Sequence, residues 1–363
     1  FKQKTAYEML RSLVGSEMCI RDRNHFRNRL LKTGRLLFRF LIILITIATV
    51  LMIGLAIIGQ LVRDRTVELA LLMYIPLLPL GLWAVFWDGL QVGRSLPRFR
   101  FSLTLIGLVV TIWGAVSMMG WGGADIHSES GTDVTVLHWN VYWGGKGKDG
   151  WQSISADIER MLPDIAVLSE PPIKSRLEPF LKKMGWSTIQ YQARRKNTLA
   201  VCSSWPLQLE GYVRINNADA MTVIVTVRGQ ALRLLAVDGG RNMSKRLVIR
   251  SKGVLPRWRT PMLTKIAQTL VAYEEQGQPI DLIAGDFNAI SLSLGFDAFA
   301  QAGGGFHLAS KFSLDWRGTW KAYLPLYDLD HVWVHKRFQG LRAELFTNLK
   351  SDHRGQLVRF VLP

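Results

Sequence analysis

Three uncharged runs in the first third of the chain constrain the fold more than any other feature. Residues 40–62 and 101–124 contain no charged side chain, and residues 69–87 are likewise uncharged, with Pro76 and Pro79 as interruptions. Each run is long enough to cross a bilayer core, which takes about 20 apolar residues. Core helices of soluble proteins rarely stay uncharged over such lengths. The sequence therefore predicts a membrane region, residues 24–124, with three transmembrane helices.

The distribution of Lys and Arg predicts the orientation of these helices. Seven basic residues lie in residues 21–39 and three in residues 94–100, whereas the first connection carries only Arg63 and Arg65 around Asp64. Cytoplasmic loops are the ones enriched in Lys and Arg. Three crossings would then make the chain an integral protein of the cell (inner) membrane, with its C-terminal domain outside the cytoplasm.

The two flanks of the membrane region are expected to carry no function. Residues 1–23 resemble a translated sequencing-adapter fragment, with a natural amphipathic leader as the alternative, and we exclude them from fold reasoning. Residues 125–132 contain Gly and Ser and form the predicted linker to a domain over residues 133–363.

Charge and cysteine content limit the partners only broadly. The net charge is +17, and residues 132–363 alone contain 30 Lys plus Arg against 20 Asp plus Glu. A basic surface favours polyanionic partners. Cys19 and Cys202 are the only cysteines, so no disulfide framework is implied.

Polar side chains stand where short apolar runs of the C-terminal domain end. These residues are Asn140, Glu170, Asp238, Asp286 and Asn288. Alternation along a strand lets Asp286 and Asn288 point to one side while Phe287 packs on the other. A single Asp or Asn at such a place is more often a turn residue or a helix cap. Four such strand ends in one domain instead predict a polar cluster at one rim of a sheet, where loops can hold a ligand.

Two further acidic and histidine pairs follow near the end of the sequence. Asp330-His331 precedes the apolar residues 332–334, and Asp352-His353 precedes a predicted strand over residues 356–362. A carboxylate partner can fix the tautomer of a histidine and raise its pKa. Asp330 and His353 are therefore candidate partners.

Together these segments resemble the endonuclease/exonuclease/phosphatase family. The resemblance covers residues 132–363 and depends on five segments: 138–140, 163–170, 285–288, 330–331 and 351–353. It implies an α/β fold in which two β-sheets form a sandwich flanked by helices, here preceded by three transmembrane helices. It also implies hydrolysis of phosphate ester bonds with the help of Mg²⁺ or Mn²⁺.

The resemblance implies a metal site. Glu170 resembles the principal metal ligand of the family, and Asn140 and Asp352 resemble residues close to the metal and the phosphate. The negative oxygens of a phosphate ester repel a nucleophile, and a hard cation bound by carboxylates neutralises that charge.

The resemblance also implies the catalytic groups. Asp286 resembles the residue that orients or deprotonates the attacking water, and Asn288 one that steadies the phosphoryl oxygens. His353 resembles the histidine that contacts the scissile phosphate, with Asp330 as the carboxylate that holds it. Asn140 shares in both the metal site and catalysis.

Two positions depart from the family pattern. Many relatives carry a histidine where this chain has Asp238, which cannot donate a proton unless its pKa is strongly raised; we assign it to substrate binding. Some nuclease-type relatives carry an acidic residue at the position of Tyr142, so a second metal site is not supported.

A basic segment over residues 241–259 contains seven Lys or Arg and no acidic residue. A solvated charged surface explains it as well as a functional patch does. As a functional patch, Arg241 and its neighbours would bind a substrate phosphate, a lipid headgroup or nucleic acid. The sequence thus predicts a membrane-tethered, metal-dependent phosphoesterase, with a nuclease or a non-catalytic phosphate-binding module as alternatives. It leaves the natural substrate and the oligomeric state undetermined.

Overall fold

The computed structural model describes residues 6–91, 101–122, 132–193, 196–215, 218–240 and 259–362. Nearly all of the predicted linker lies outside these residues. So does the basic segment before Arg259, including Arg241.

Within the described residues, the predicted membrane region contains four helices. These are α1 (Ala6–Val62), α2 (Val67–Met73), α3 (Leu77–Leu90) and α4 (Ser102–Met118). Among the described helices, only α1, over Leu31–Val62, is by itself long and apolar enough to cross a membrane. Helices α2 and α3 meet at a bend of 58° and qualify only as one broken span, and α4 is shorter. One or two spans are therefore supported by length, and the third stays a prediction.

The described part of the third uncharged run is helical only as far as Met118. Met119, the next residue, has an extended backbone. The next residues pair with the C-terminal domain instead: the N–H of Gly120 bonds to the carbonyl of Asp315, and that of Gly122 bonds to Ser313. The uncharged residues after α4 thus form a β-bridge to the C-terminal domain, between Met119 and Trp316, instead of a further helical turn.

Small residues bring helices α3 and α4 close together. A Cβ atom on Gly81 would come within 2.6 Å of the Gly107 carbonyl, and one on Gly114 would meet the backbone of Leu78. Close contact through small residues is the usual packing of helices in membranes. Large apolar side chains such as Val109, on the outer side of α4, remain exposed, as expected of a face in contact with lipid.

The C-terminal domain consists of two six-stranded sheets and three main helices. Its strands are β1 (Thr132–Asn140), β2 (Ile165–Ser169), β3 (Ser187–Ala193), β4 (Lys196–Ser203), β5 (Leu207–Ile215), β6 (Ala218–Val227), β7 (Gln230–Asp238), β8 (Leu282–Asp286), β9 (Phe306–Leu308), β10 (Asp330–His335), β11 (Gln339–Phe346) and β12 (Gly355–Leu362), and its helices are α5 (Gly150–Met161), α6 (Lys174–Met184) and α7 (Thr260–Glu275). The first sheet has the order β11-β12-β1-β2-β4-β3 and the second β5-β6-β7-β8-β10-β9.

The two sheets pack face to face. Side chains such as Val136, Val167 and Ala284 fill the space between them. Helices α5 and α6 cover the outer face of the first sheet by packing on residues such as Leu137, and α7 covers the second sheet by packing on residues such as Ile283. The predicted α/β sandwich flanked by helices is confirmed.

Strand alternation explains why polar residues meet inside the sandwich. Asn140, Asp238 and Asp286 each lie an even number of residues after an apolar side chain that faces the interior, and successive side chains point to opposite faces. In the ladders, Asp238 is opposite Asp286, and Asp286 is opposite Asp330. One end of the sandwich therefore receives several carboxylates.

Candidate active site

The centre of the site is a buried histidine and carboxylate pair. Nδ1 of His353 lies 2.7 Å from Oδ2 of Asp330, and both side chains are buried. Burial opposes the charged imidazolium, but Asp330, followed by Asp286 and Asp352, outweighs burial and raises the pKa of His353 to about 10. Burial likewise opposes ionisation of Asp330, yet the interaction with His353 holds the pKa of this carboxyl below its usual range. At neutral pH the pair is an ion pair.

Asp286 lies beside this pair at the end of β8. One of its oxygens accepts a hydrogen bond from Nδ2 of Asn140 at 3.0 Å, and the other accepts the backbone N–H of Asn288 at 2.9 Å. Burial and the neighbouring charge of Asp330 raise the pKa of Asp286 to about 6. Ligand atoms of Asp286, Asp330 and His353 all lie within 4.8 Å of one another. The structure therefore brings together four of the predicted catalytic residues, with Asn140 as the fourth.

Asn288, the remaining predicted catalytic residue, lies at the mouth of the site. Its side chain is partly exposed, and its backbone is in the left-handed region with φ 51°. Asparagine is one of the few non-glycine residues that adopt this conformation readily. The bond from its N–H to Asp286 helps to hold it there.

Asp238 lies beside Asp286 on the adjacent strand and accepts the N–H of Gly240 at 2.8 Å. Burial, then the charges of Asp286 and Glu170, raise its pKa to about 8. Asp238 could donate a proton only if its pKa were strongly raised, and this is the case. The carboxyl is largely protonated at neutral pH when no cation is bound.

The predicted metal ligands Glu170 and Asp352 stand at the partly exposed rim. Glu170 follows β2 with φ 48°, and its backbone bonds to Thr198 and Trp143. Its charge acts on Asp238 and that of Asp352 on His353, so both border the buried cluster. Neither belongs to the compact group of Asp286, Asp330 and His353.

The donor set fits a hard divalent cation. Carboxylate and amide oxygens are the ligands that Mg²⁺ and similar ions prefer. Oδ1 of Asp330 and Oδ1 of Asp352 are buried without a hydrogen-bond partner. Burial, and after it neighbouring negative charge, raises the pKa values of Asp238 and Asp286. A cation beside these carboxylates would give the bare oxygens a partner and offset the negative charge.

His138, Ser169 and Ser351 lie in segments that carry the family resemblance, but the sequence argument gave them no role. His138 places Nε2 at 3.2 Å from Oγ of Ser169 and Nδ1 at 4.0 Å from Asp330, and burial lowers its pKa to about 4. Ser351 donates to the Asn140 carbonyl at 2.6 Å and accepts the His353 N–H at 3.0 Å. His138 lies two residues before Asn140 on the same strand, so alternation alone could have indicated it.

His331 points away from the site. Its Nε2 donates to the carbonyl of Ala289 at 2.8 Å, and its ring packs on Phe287 and Phe296. Within the Asp330-His331 pair, only Asp330 faces the sandwich interior. His331 instead supports the loop that carries Asn288.

Residues 137–353 match the family model described as Endonuclease/Exonuclease/phosphatase family. The chain belongs to this family, whose members are hydrolases acting on phosphate esters. No match was found among curated proteins.

Solved structures with a similar fold share little sequence with this chain. The human Nocturnin catalytic domain with a bound sulfate anion is 19% identical, with a TM-score of 0.48, over 63% of this chain and 95% of that one. A mannosyl-6-phosphatase of Bacteroides thetaiotaomicron is 13% identical, with a TM-score of 0.48, over 63% and 100%. Sphingomyelinase C from Streptomyces griseocarneus is 18% identical, with a TM-score of 0.45, over 63% and 99%.

Proposed function

We propose that this protein is a membrane-tethered, metal-dependent phosphoesterase that hydrolyses a phosphodiester or phosphomonoester outside the cytoplasm. The observation that carries the proposal is the convergence of Asp286, Asp330 and His353 within 4.8 Å, with further carboxylates at the rim. Such a site combines a fixed positive charge, a candidate base and oxygen ligands for a cation.

The cation would be held by Glu170 and Asp352, with Asn140 nearby. When bound, Mg²⁺ or Mn²⁺ would neutralise phosphate charge and polarise the phosphorus centre. Asn140 would be positioned for this role by its own bonds, because its Oδ1 accepts the N–H of Tyr142 and its Nδ2 donates to Asp286.

His353 would act as a charged donor to the phosphate. Its raised pKa, about 10, keeps the imidazolium protonated at neutral pH, and Asp330 occupies Nδ1 so that Nε2 is the atom left for the substrate. Donors aimed at developing negative charge are commonly worth a factor of about 10² to 10³ in rate each.

Asp286 would orient and deprotonate the attacking water, with Asn288 next to the phosphoryl oxygens. A carboxyl with a pKa of about 6 is ionised at pH 7 to 8 yet remains a better base than an ordinary aspartate. Asp238, on the adjacent strand, would bind the substrate phosphate through its proton, and Arg241 is proposed to assist from outside the described residues.

The membrane topology is part of the proposal. Residues 63–64, after α1, and residues 117–122, at the end of α4, both bond to the C-terminal domain. These two ends therefore lie on the domain's side of the membrane region. An α1 span, a broken α2–α3 span and an α4 span would satisfy this arrangement, and the basic residues at 21–39 would put the domain outside the cytoplasm.

The test is turnover by the full chain in mild detergent, with Mg²⁺ or Mn²⁺ against a chelator. The substrates are a chromogenic phosphodiester and monoester, duplex DNA, RNA and phospholipid vesicles. We expect Glu170→Ala and His353→Ala to lower turnover by at least about 10², with Glu344→Ala and His307→Ala as controls away from the site. Near-wild-type rates in the first pair would contradict the assigned roles.

A nuclease is the second candidate, because Lys and Arg exceed Asp and Glu by 30 to 20 in residues 132–363. The assays with duplex DNA and RNA distinguish a nuclease from a phosphoesterase that acts on other substrates. Absence of metal-dependent turnover on every substrate would instead support a non-catalytic phosphate-binding module.

A further inference from the structure

The connection between α1 and α2 lies against the C-terminal domain. Arg63, with φ 62°, donates both terminal nitrogens to Asp297 at 2.6 and 2.8 Å. The same guanidinium donates to the carbonyls of Leu292 at 2.5 Å and Ser293 at 3.0 Å. The Arg63 guanidinium thus makes four hydrogen bonds to residues 292–297. A connection that served only as a flexible tether would not need them.

Asp64 is fixed more firmly still. It is 1% exposed, and it accepts hydrogen bonds from Oγ of Ser293 at 2.5 Å, from Oγ1 of Thr260 at 2.7 Å and from the N–H of Leu294 at 2.7 Å. Hydrogen bonds to a charged acceptor are stronger than neutral ones. Asp64 thereby ties the start of α7 to the segment that begins with Asn288.

Tyr74, at the bend between α2 and α3, contacts the same segment next to the site. Its hydroxyl donates to the carbonyl of Asn288 and accepts the N–H of Ile290, both at 3.4 Å. The backbone of Tyr74 is itself held, because Tyr327 donates to its carbonyl at 3.1 Å. Tyr74 of the membrane region therefore bonds directly to the carbonyl of Asn288. The N–H of Asn288 bonds to Asp286.

The C-terminal domain supports this segment from the other side. Phe287 bonds to the carbonyl of Leu329, His331 to Ala289, and the N–H of Ser291 to Asp328 at 3.2 Å. The carbonyl of Asn288, the N–H of Ile290 and residues 292–294 also bond to the membrane region. The loop after β8 is therefore clamped between the two regions.

We propose that Asp64 and Tyr74 are positioning residues of the active site, so that the membrane region completes the catalytic geometry instead of only anchoring it. The proposal rests on the proposed function for its kinetic consequence. We call the contacts of Asp64 and Tyr74 with residues 288–294 the clamp. Loosening the clamp would let Asn288 move, and with it the carboxylate of Asp286, away from the position of the attacking water. A displacement of about 1 Å can cost up to about 10² in rate.

The variants Asp64→Asn and Tyr74→Phe test the clamp in the full chain. Asp88→Asn is the matched control for the first, because Asp88 accepts two hydrogen bonds from Thr104, both at 2.8 Å, within the membrane region. Tyr273→Phe is the control for the second, because its hydroxyl bonds to Thr222 at 3.2 Å behind the sheet.

Two measurements separate positioning from general stability. Asp64→Asn and Tyr74→Phe should lower kcat by about tenfold with KM for the chromogenic diester little changed, while each control keeps wild-type kcat. Amide hydrogen exchange of residues 288–294 should become faster in the two test variants and stay unchanged in the controls.

The outcomes distinguish the two proposals. Turnover that depends on Glu170 but is equal in Asp64→Asn and Asp88→Asn, with unchanged exchange at residues 288–294, would overturn the positioning role alone. If the wild type shows no metal-dependent turnover, the proposed function is overturned. In that case the exchange measurement still decides whether the clamp exists.

Discussion

Replacing Asp330 with Asn should destabilise the protein by an amount that depends on pH. The pKa of His353 rises from an ordinary value near 6.5 to about 10, and each pKa unit is worth roughly 1.4 kcal/mol. The full shift then corresponds to roughly 5 kcal/mol. Because Asp286 and Asp352 also contribute to it, we expect about 3 kcal/mol from removing the Asp330 charge, the lower end for a broken buried pair.

The sign of the pH dependence follows from the direction of each shift. A base with a raised pKa contributes its full stabilisation below the unfolded value, near 6.5, and loses it as the pH rises through about 10. The carboxyl of Asp330 has a lowered pKa, so its contribution is present above the unfolded value near 3.8 and disappears in acid. The stability difference between wild type and Asp330→Asn should therefore be largest between about pH 4 and 6.5 and should shrink towards pH 10.

The measurement is unfolding of the full chain in mild detergent with a chelator present, followed by tryptophan fluorescence at several pH values. Asp328→Asn is the matched control, because Asp328 is equally buried but pairs with Arg317 at 3.0 Å. An arginine stays charged over this range, so the control difference should not vary between about pH 6 and 10. A difference for Asp330→Asn that is equally flat would refute the ion pair.

Three other predictions use different parts of the molecule. Affinity for Mn²⁺, measured by calorimetry, should increase as the pH rises through about 6, because a nearby cation favours the ionised form of Asp286, and Asp286→Asn should flatten this rise; an unchanged profile would mean that Asp286 does not interact with the cation. Gly285→Ala should abolish most turnover, because its Cβ would lie 1.8 Å from the carbonyl of Val237 and push β7 from β8; full activity would mean that the spacing of these strands is unimportant. A fusion reporter active only outside the cytoplasm should respond when placed after residue 132, and silence there would reverse the proposed orientation.

The convergence of the site was predictable because alternation along strands is a local property. Asn140, Asp238 and Asp286 each follow an apolar run, and the polarity of the interior-facing positions changes only at the strand ends. The pairing of Asp330 with His353 followed from the same kind of pattern, two short motifs before two strands. The order of strands within the sheets was not predicted, because no local residue pattern indicates which strands become neighbours.

Other features left no local signal. The helix break at residues 74–76 was marked by Pro76, but the end of α4 at Met118 was not, because an uncharged residue suits a helix and a β-bridge equally well. Ser351 was overlooked because a serine before a turn is commonplace. The burial of Asp64 depends on Thr260 and Ser293, which lie some 200 residues further along the sequence, so no window around Asp64 could reveal it.

The position of β12 has a consequence for biogenesis. This strand lies between β11 and β1, and β1 pairs with it from Thr132 to His138. While the chain is being made, β1 can pair with β2 on one side only, and its other edge stays open until β12 has been made. An open, apolar edge invites pairing with other chains. The first sheet can therefore close only after β12 has been made, so the edge of β1 is open to other chains until then.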